Sequence, residues 1–247
     1  MSVALITGAS RGIGKATALL LGAQGYTVAI NYLHNAAAAQ EVVERIVASG
    51  GRAFAIQADI SDEPQVMSMY REIDERGEPL RALVNNAGVL FTQCMTENLT
   101  AERINKVLAT NVTGYFLCCR EAVKRMAHHH GGQGGAIVNV SSAASRLGAP
   151  GEYVDYAASK GAVDSLTIGL SLEVAAQGIR VNGVRPGLIY TDIHASGGEP
   201  GRVDRVKSVL PMQRGGQPEE VAEAIAWLLS DKASYVTGSF LDLAGGK

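Results

Sequence analysis

VALITGASRGIG, residues 3–14, sets a short apolar, β-branched run directly before Gly8, Gly12 and Gly14, and these glycines open a segment of helical period. A strand that turns through glycines into a helix brings bare backbone to one spot, along with the free N–H groups and positive dipole end of the helix. A pyrophosphate is the group such a cradle receives. The spacing is Gly-x-x-x-Gly-x-Gly, not the commoner Gly-x-Gly-x-x-Gly. Three glycines alone fit an unliganded turn about as well as a phosphate site, so the rest of the chain decides.

The alternation repeats downstream. Runs at 3–7 (VALIT), 27–31 (TVAIN), 53–58 (AFAIQA), 82–86 (ALVNN), 135–140 (GAIVNV), 179–184 (IRVNGV) and 238–243 (GSFLDL) predict seven strands. Segments at roughly 12–24, 36–49, 63–76, 101–127, 154–176 and 218–229 carry apolar residues at helical spacing. Strands separated by helices require a parallel sheet covered on both faces and joined by right-handed crossovers. The expected architecture is α/β, a three-layer doubly wound sheet in one domain over residues 1–247. The glycines at 131–135 read as a helix stop, and 194–202 (HASGGEPGR) as a mobile surface excursion.

Composition narrows the function. Lys and Arg number 22 against 24 Asp and Glu, for a net charge of −2, and they form no basic stripe, so a nucleic acid is not an expected partner. No basic segment precedes the first strand, and no window is apolar for long enough to span a bilayer; neither a signal peptide nor a membrane is expected. The three cysteines, Cys94, Cys118 and Cys119, suggest no disulfide framework, which fits a reducing, cytoplasmic setting. His128, His129 and His130 are adjacent, so on a helix they diverge and cannot share an ion; no metal is expected.

YVDYAASKGAV, residues 153–163, supplies the chemistry. On a helix Tyr156 and Lys160 lie one turn apart on one face, so a phenol and an ammonium point into the same space. A phenol of pKa about 10 is a poor base at neutral pH, and a neighbouring ammonium favours its ionised form. Proton transfer near pH 7 then becomes feasible. Taken alone, Tyr-x-x-x-Lys is more often an amphipathic face with a snorkelling lysine.

With TGASRGIG, Asp59 at a strand end, Asn85-Asn86-Ala87-Gly88, Asn111, Ser141-Ser142, Tyr156-x-x-x-Lys160 and Pro186-Gly187 in order along its full length, the chain resembles the short-chain dehydrogenase/reductase family. It looks most like the group of glucose dehydrogenases and 3-oxoacyl carrier-protein reductases. The resemblance implies a Rossmann sheet of order 3-2-1-4-5-6-7 and an oxidoreductase that moves a hydride between NADP(H) and a small carbonyl or secondary alcohol. It assigns catalysis to Asn111, Ser142, Tyr156 and Lys160. In that scheme Tyr156 is the general acid or base; Lys160 and the positive charge of the oxidised nicotinamide lower the tyrosine's pKa, and Lys160 also holds the nicotinamide ribose. Ser142 binds the substrate oxygen, and Asn111 sits at a helix break that holds a relay water. Ser141 and Ser145 compete with Ser142, because the serine-to-tyrosine spacing is one residue longer than in many relatives. Cofactor contacts are implied at Gly8, Ser10, Arg11, Gly12, Ile13, Gly14, Asn31, Asp59, Ile60, Asn86, Ala87, Gly88, Tyr156, Lys160, Pro186, Gly187, Ile189 and Thr191.

The end of the second strand bears on the choice of cofactor. NAD enzymes of this fold place Asp or Glu there, where it bonds the ribose hydroxyls and repels a 2′-phosphate. This chain has Asn31, and Arg11 in the glycine loop can pair with phosphate, so NADP(H) is favoured over NAD(H). His34 assists only when protonated. Asp59 either takes the adenine amino group or caps the next helix, a role for which Ser61 and Asp62 are better placed. Residues 192–214 are expected to form the substrate lid, with no charged cluster that demands a charged substrate. The helices at 101–127 and 154–176 are expected to pack into a homotetramer, as the resemblance implies. Other readings are a catalytically silent NADP(H)-binding regulator and an NAD-using sugar or polyol dehydrogenase.

Overall fold

A computed structural model describes residues 2–247. Seven strands, β1 (Val3–Ile6), β2 (Thr27–Tyr32), β3 (Arg52–Gln57), β4 (Leu80–Asn85), β5 (Gly135–Val140), β6 (Ile179–Pro186) and β7 (Phe240–Leu243), form one sheet of order β3-β2-β1-β4-β5-β6-β7. Every pairing is parallel. The helices are α1 (Gly12–Ala23), α2 (Ala36–Ala48), α3 (Glu63–Asp74), α4 (Ala101–Leu108), α5 (Gly114–Met126), α6 (Ala144–Leu147), α7 (Val154–Val174), α8 (Ile193–Ser196), α9 (Arg202–Val206) and α10 (Pro218–Leu229).

Strand periodicity builds two cores. Val3 and Leu5 of β1 face one side with Tyr70 and Ile73 of α3, Tyr115 and Met126 of α5, and Val163 of α7. Ala4 and Ile6 face the other side with Leu21 of α1, Val42 and Ile46 of α2, and Ile225 of α10. A parallel strand buried on both faces must be apolar without interruption, and the VALI of β1 is. The sheet is thereby wound on both sides, with order 3-2-1-4-5-6-7 as expected. No helix among the described residues is long and apolar enough to cross a membrane.

The segment at 101–127 is broken at Asn111, where the resemblance implies a break: α4 runs into a five-residue π-helical turn, Ala109–Thr113, before α5 begins. The buried Asn111 side chain causes the deviation by bonding the backbone of Val89, outside the helix. The excursion at 194–202 is partly helical, lying between α8 and the start of α9.

Candidate active site

The carboxyl ends of the strands open onto a cleft of about 1040 Å³. Every site residue expected from the sequence lines it except Gly14 and Asn111, which support it from behind. At one end, β1 turns into α1. Gly8 has φ +62°, and a Cβ there would come within 2.9 Å of Ala87 Cα; one on Gly14 would come within 2.5 Å of the Gly8 carbonyl oxygen. These two positions need glycine because backbone packs on backbone. Asn86 locks the turn, its amide donating to the carbonyls of Thr7 (2.8 Å) and Gly8 (3.0 Å), while Thr7 Oγ1 accepts from the N–H groups of Asn86 and Ala87. Arg11 precedes α1, is exposed and has no ion partner among the described residues. Bare backbone, a helix start and an unpaired guanidinium fit a dinucleotide's phosphates.

Asn31 lines the cleft with its side chain turned into the protein. Only 2% exposed, it is consumed by the protein: Oδ1 accepts from Gly8 N–H at 3.2 Å, and Nδ2 donates to the carbonyls of Ala58 (3.0 Å) and Ile56 (3.5 Å). It ties the glycine turn to β3, leaving no side-chain donor for an adenosine ribose. Nothing local in the sequence signals this, since the bonds run to residues more than twenty positions away. The exposed lining at this end comes instead from Arg11, Leu33, His34 and Asn35. Asp59 accepts from the N–H (2.8 Å) and hydroxyl (2.7 Å) of Ser61, and Asp62 caps α3 through Gln65 N–H. The helix cap therefore falls to Asp62.

At the middle of the cleft, Ser142, Tyr156 and Lys160 share a wall. The two adjacent serines divide the work. Ser141 is buried and bonds Asp164 Oδ1 (2.6 Å) and the Lys160 carbonyl (3.2 Å), fastening β5 to α7. Ser142 Oγ accepts from Ala144 N–H (3.1 Å), and against the effect of burial its hydroxyl pulls the Tyr156 phenol's pKa down. Ser145 donates to the Ser142 carbonyl at 2.8 Å, a turn contact. The start of α7 is fixed by Asp155, whose carboxylate accepts from Arg103 Nε at 2.8 Å.

Within the protein alone, burial governs both groups of the pair. Burial pushes Tyr156 up to about 12, with the Ser142 hydroxyl pulling the other way; burial pulls Lys160 down to about 7 against the carboxylate of Asp164. Lys160 Nζ lies 5.6 Å from the Tyr156 ring centre. It donates to the Val140 carbonyl at 2.7 Å and to the Tyr115 hydroxyl at 3.3 Å. Tyr115, fully buried and itself donating to the Val140 carbonyl at 3.1 Å, is a support the sequence reading missed. A Cβ on Gly88 would stand 3.5 Å from Asn111 Oδ1 and 3.7 Å from Lys160 Nζ, so the glycine keeps that approach open. Asn111 holds Val89 through both backbone groups (2.8 and 2.9 Å) and donates to Ser159 Oγ at 3.1 Å.

Pro186, Gly187, Ile189 and Thr191 follow β6 along the same wall, the Thr191 methyl lying against Gly12. Beyond them, α8 and α9 close the far end with Leu90, Leu147, Pro150 and Tyr153. Glu152 pairs there with Arg202 of the lid, which with Glu199 and Arg205 forms a charge-balanced cluster. Among the described residues, no group of three or more His, Cys, Asp or Glu is arranged to hold a metal ion.

Residues 8–247 match the family described as enoyl-(acyl carrier protein) reductase. The chain is 77% identical over 247 residues to a protein named uncharacterized oxidoreductase YgfF of Escherichia coli K12, covering all of both chains. It is 38% identical over 243 residues to the 3-oxoacyl-[acyl-carrier-protein] reductase FabG of Staphylococcus aureus Mu50, covering 98% of this chain and 96% of that one. Among solved structures, levodione reductase superposes with a TM-score of 0.92 at 31% identity, covering 99% of this chain and 96% of that chain. A mutant short-chain dehydrogenase/reductase from Serratia marcescens gives 0.90 at 33% identity, covering 99% and 97%.

Proposed function

As the chain belongs to the short-chain dehydrogenase/reductase family of oxidoreductases, we propose that it interconverts a small carbonyl compound and its secondary alcohol, using NADP(H) in preference to NAD(H). The observation that carries this reading is the shared wall of Ser142, Tyr156 and Lys160, midway between the glycine turn and the lid. When bound, the nicotinamide supplies or takes up the hydride. The protein's own residues manage the proton and the orientation. Tyr156, kept protonated by its surroundings, gives its proton to the carbonyl oxygen in reduction and takes it back in oxidation. Ser142 Oγ hydrogen-bonds that oxygen as charge grows on it. Lys160 orients the ribose, braced by Tyr115 and Val140, and Asn111 holds the 86–90 segment against the cofactor. Arg11 meets the 2′-phosphate.

The supporting test follows NADPH absorbance with a panel of activated ketones. Wild type should turn over at least one of them, and Tyr156→Phe should lose roughly 100- to 10,000-fold in kcat while binding NADPH within about threefold of wild type. Tight NADPH binding with no turnover on any ketone would instead make the protein a cofactor-binding regulator. Four copies assemble through the outward apolar residues Phe116 of α5 and Ile168 and Leu172 of α7, which are exposed in the single chain.

A further inference from the structure

The lid cluster bears on which carbonyl compounds enter. Arg202 lines the substrate end of the cleft beside Glu152, with its side chain only 15% exposed. Its guanidinium donates to both carboxylate oxygens of Glu152, from Nη1 to Oε1 at 2.8 Å and from Nη2 to Oε2 at 2.5 Å. Nη1 also reaches Glu199 Oε2 at 3.4 Å, and the guanidinium carbon lies 5.3 Å from the centre of the Tyr153 ring. Glu199 is held in turn by Arg205 and by Gln93 at 2.8 Å. Two carboxylates and two guanidiniums cancel. The other charged or titratable groups at this end are committed elsewhere or lie at its margin: Lys160 in the proton-transfer wall, His194 bonded to the Ile189 carbonyl at 2.9 Å, and Asp192 and Lys247 exposed.

An arginine built into a pocket wall binds a carboxylate through two parallel N–H donors. Here Glu152 already occupies them. A substrate carboxylate reaching Arg202 must displace Glu152 and then lie beside it, a like-charge juxtaposition inside a half-buried wall. We propose that Glu152 is a specificity-determining residue: by saturating Arg202 it excludes oxo acids and reserves the pocket for uncharged ketones and alcohols. This rests on the proposed carbonyl-reducing function and names the substrate class that function serves.

The test compares ethyl acetoacetate with acetoacetate, a matched uncharged and anionic pair, in wild type, Glu152→Gln, and Glu152→Gln combined with Arg202→Gln. The readout is the ratio of kcat/KM for ester over acid, which cancels any general effect on turnover. The ratio should fall at least about tenfold in Glu152→Gln and recover in the double variant. Glu152→Ala is a second variant should the glutamine form fold poorly by circular dichroism, and Glu152→Asp, which keeps the charge, should keep the exclusion. In parallel, calorimetric titration of acetoacetate into the NADP⁺-loaded protein should show tighter binding by the same factor in Glu152→Gln. A wild type that reduces the acid as readily as the ester overturns the inference, and so does an unchanged ratio in the variant. If wild type turns over neither compound, carbonyl reduction on this pair is what fails. The titration still decides on Glu152, because no gain in acetoacetate affinity overturns its role.

Discussion

Replacing Asn31 with aspartate separates two accounts of the end of β2. From the sequence, Asn31 matters as a missing acid, and Asn31→Asp should simply move preference from NADPH toward NADH. In the structure its amide holds the glycine turn to β3, and the substitution removes that tie. A carboxylate keeps the bond from Gly8 N–H but loses both donations, and it turns an anionic oxygen toward the carbonyls of Ala58 and Ile56 at 3.0 and 3.5 Å. A buried acceptor left without its donor costs about 1–3 kcal/mol. Facing it with a charge adds to that, so the expected loss is about 2–4 kcal/mol near neutral pH. For a chain of this size the corresponding drop in Tm is about 4–16 °C. Protonating the introduced carboxyl restores one donor. Its folded-state pKa is raised by burial, so the variant loses stability as pH rises through that pKa and recovers as pH falls. Urea unfolding of cofactor-free protein at pH 5.5 and pH 8 reads this directly, beside NADPH and NADH binding by fluorescence. A variant within about 0.5 kcal/mol of wild type at both pH values, with preference cleanly exchanged, would refute the tie.

Gly14→Ala places a Cβ 2.5 Å from the Gly8 carbonyl oxygen and 2.6 Å from Asn86 Nδ2. It should cost about 1–3 kcal/mol in urea unfolding and weaken NADPH binding at least about tenfold by fluorescence titration. Lys160, at about 7 when folded, binds its proton less readily than in the unfolded chain, where the value is about 10.4. Stability of cofactor-free protein should therefore rise between pH 7 and about pH 9, by up to about 3 kcal/mol, and Lys160→Met should flatten that slope. Above about pH 9 the trend reverses, because burial makes the Cys118 and Cys119 thiols, and then the Tyr156 phenol, hold their protons longer in the folded chain than in the unfolded one. Leu172, 77% exposed on α7, should anchor an assembly contact: light scattering should give four copies for wild type and fewer for Leu172→Glu, whereas a monomeric wild type would refute the tetramer.

What the sequence revealed, and what it hid, divides by the range of the interactions. Strand and helix positions were legible because each depends on the period of its own residues, and VALI or PEEVAEAIAWLL carries its burial pattern within itself. The glycine turn was legible for the same reason. The break at 109–113 was implied at Asn111 by the resemblance, but the partner that Asn111 binds there, the backbone of Val89, was not legible. The lid's charges were present in the sequence, but Glu152 and Arg202 stand fifty positions apart, so their pairing exists only once α9 folds back on the loop before α7. Asn31 was read against a ligand from its residue type; its protein partners, the backbone of Gly8, Ile56 and Ala58, were not legible.

The Tyr156 and Lys160 pair shows the same division in its chemistry. Spacing on α7 brings phenol and ammonium together, and the sequence therefore suggests that charge attraction sets their protonation. Desolvation acts on each group separately and disfavours the ionised form of both. In the cofactor-free cleft it dominates, leaving a neutral phenol beside a lysine that loses its proton near neutrality. A neutral phenol is already the proton donor that carbonyl reduction needs. The reverse reaction needs a phenolate, and the charge to stabilise it must come from outside the pair, from the oxidised pyridinium ring or from reprotonation of Lys160. Reduction therefore starts from the protonation state that burial alone supplies, and oxidation depends on the cofactor's positive charge to reach its own.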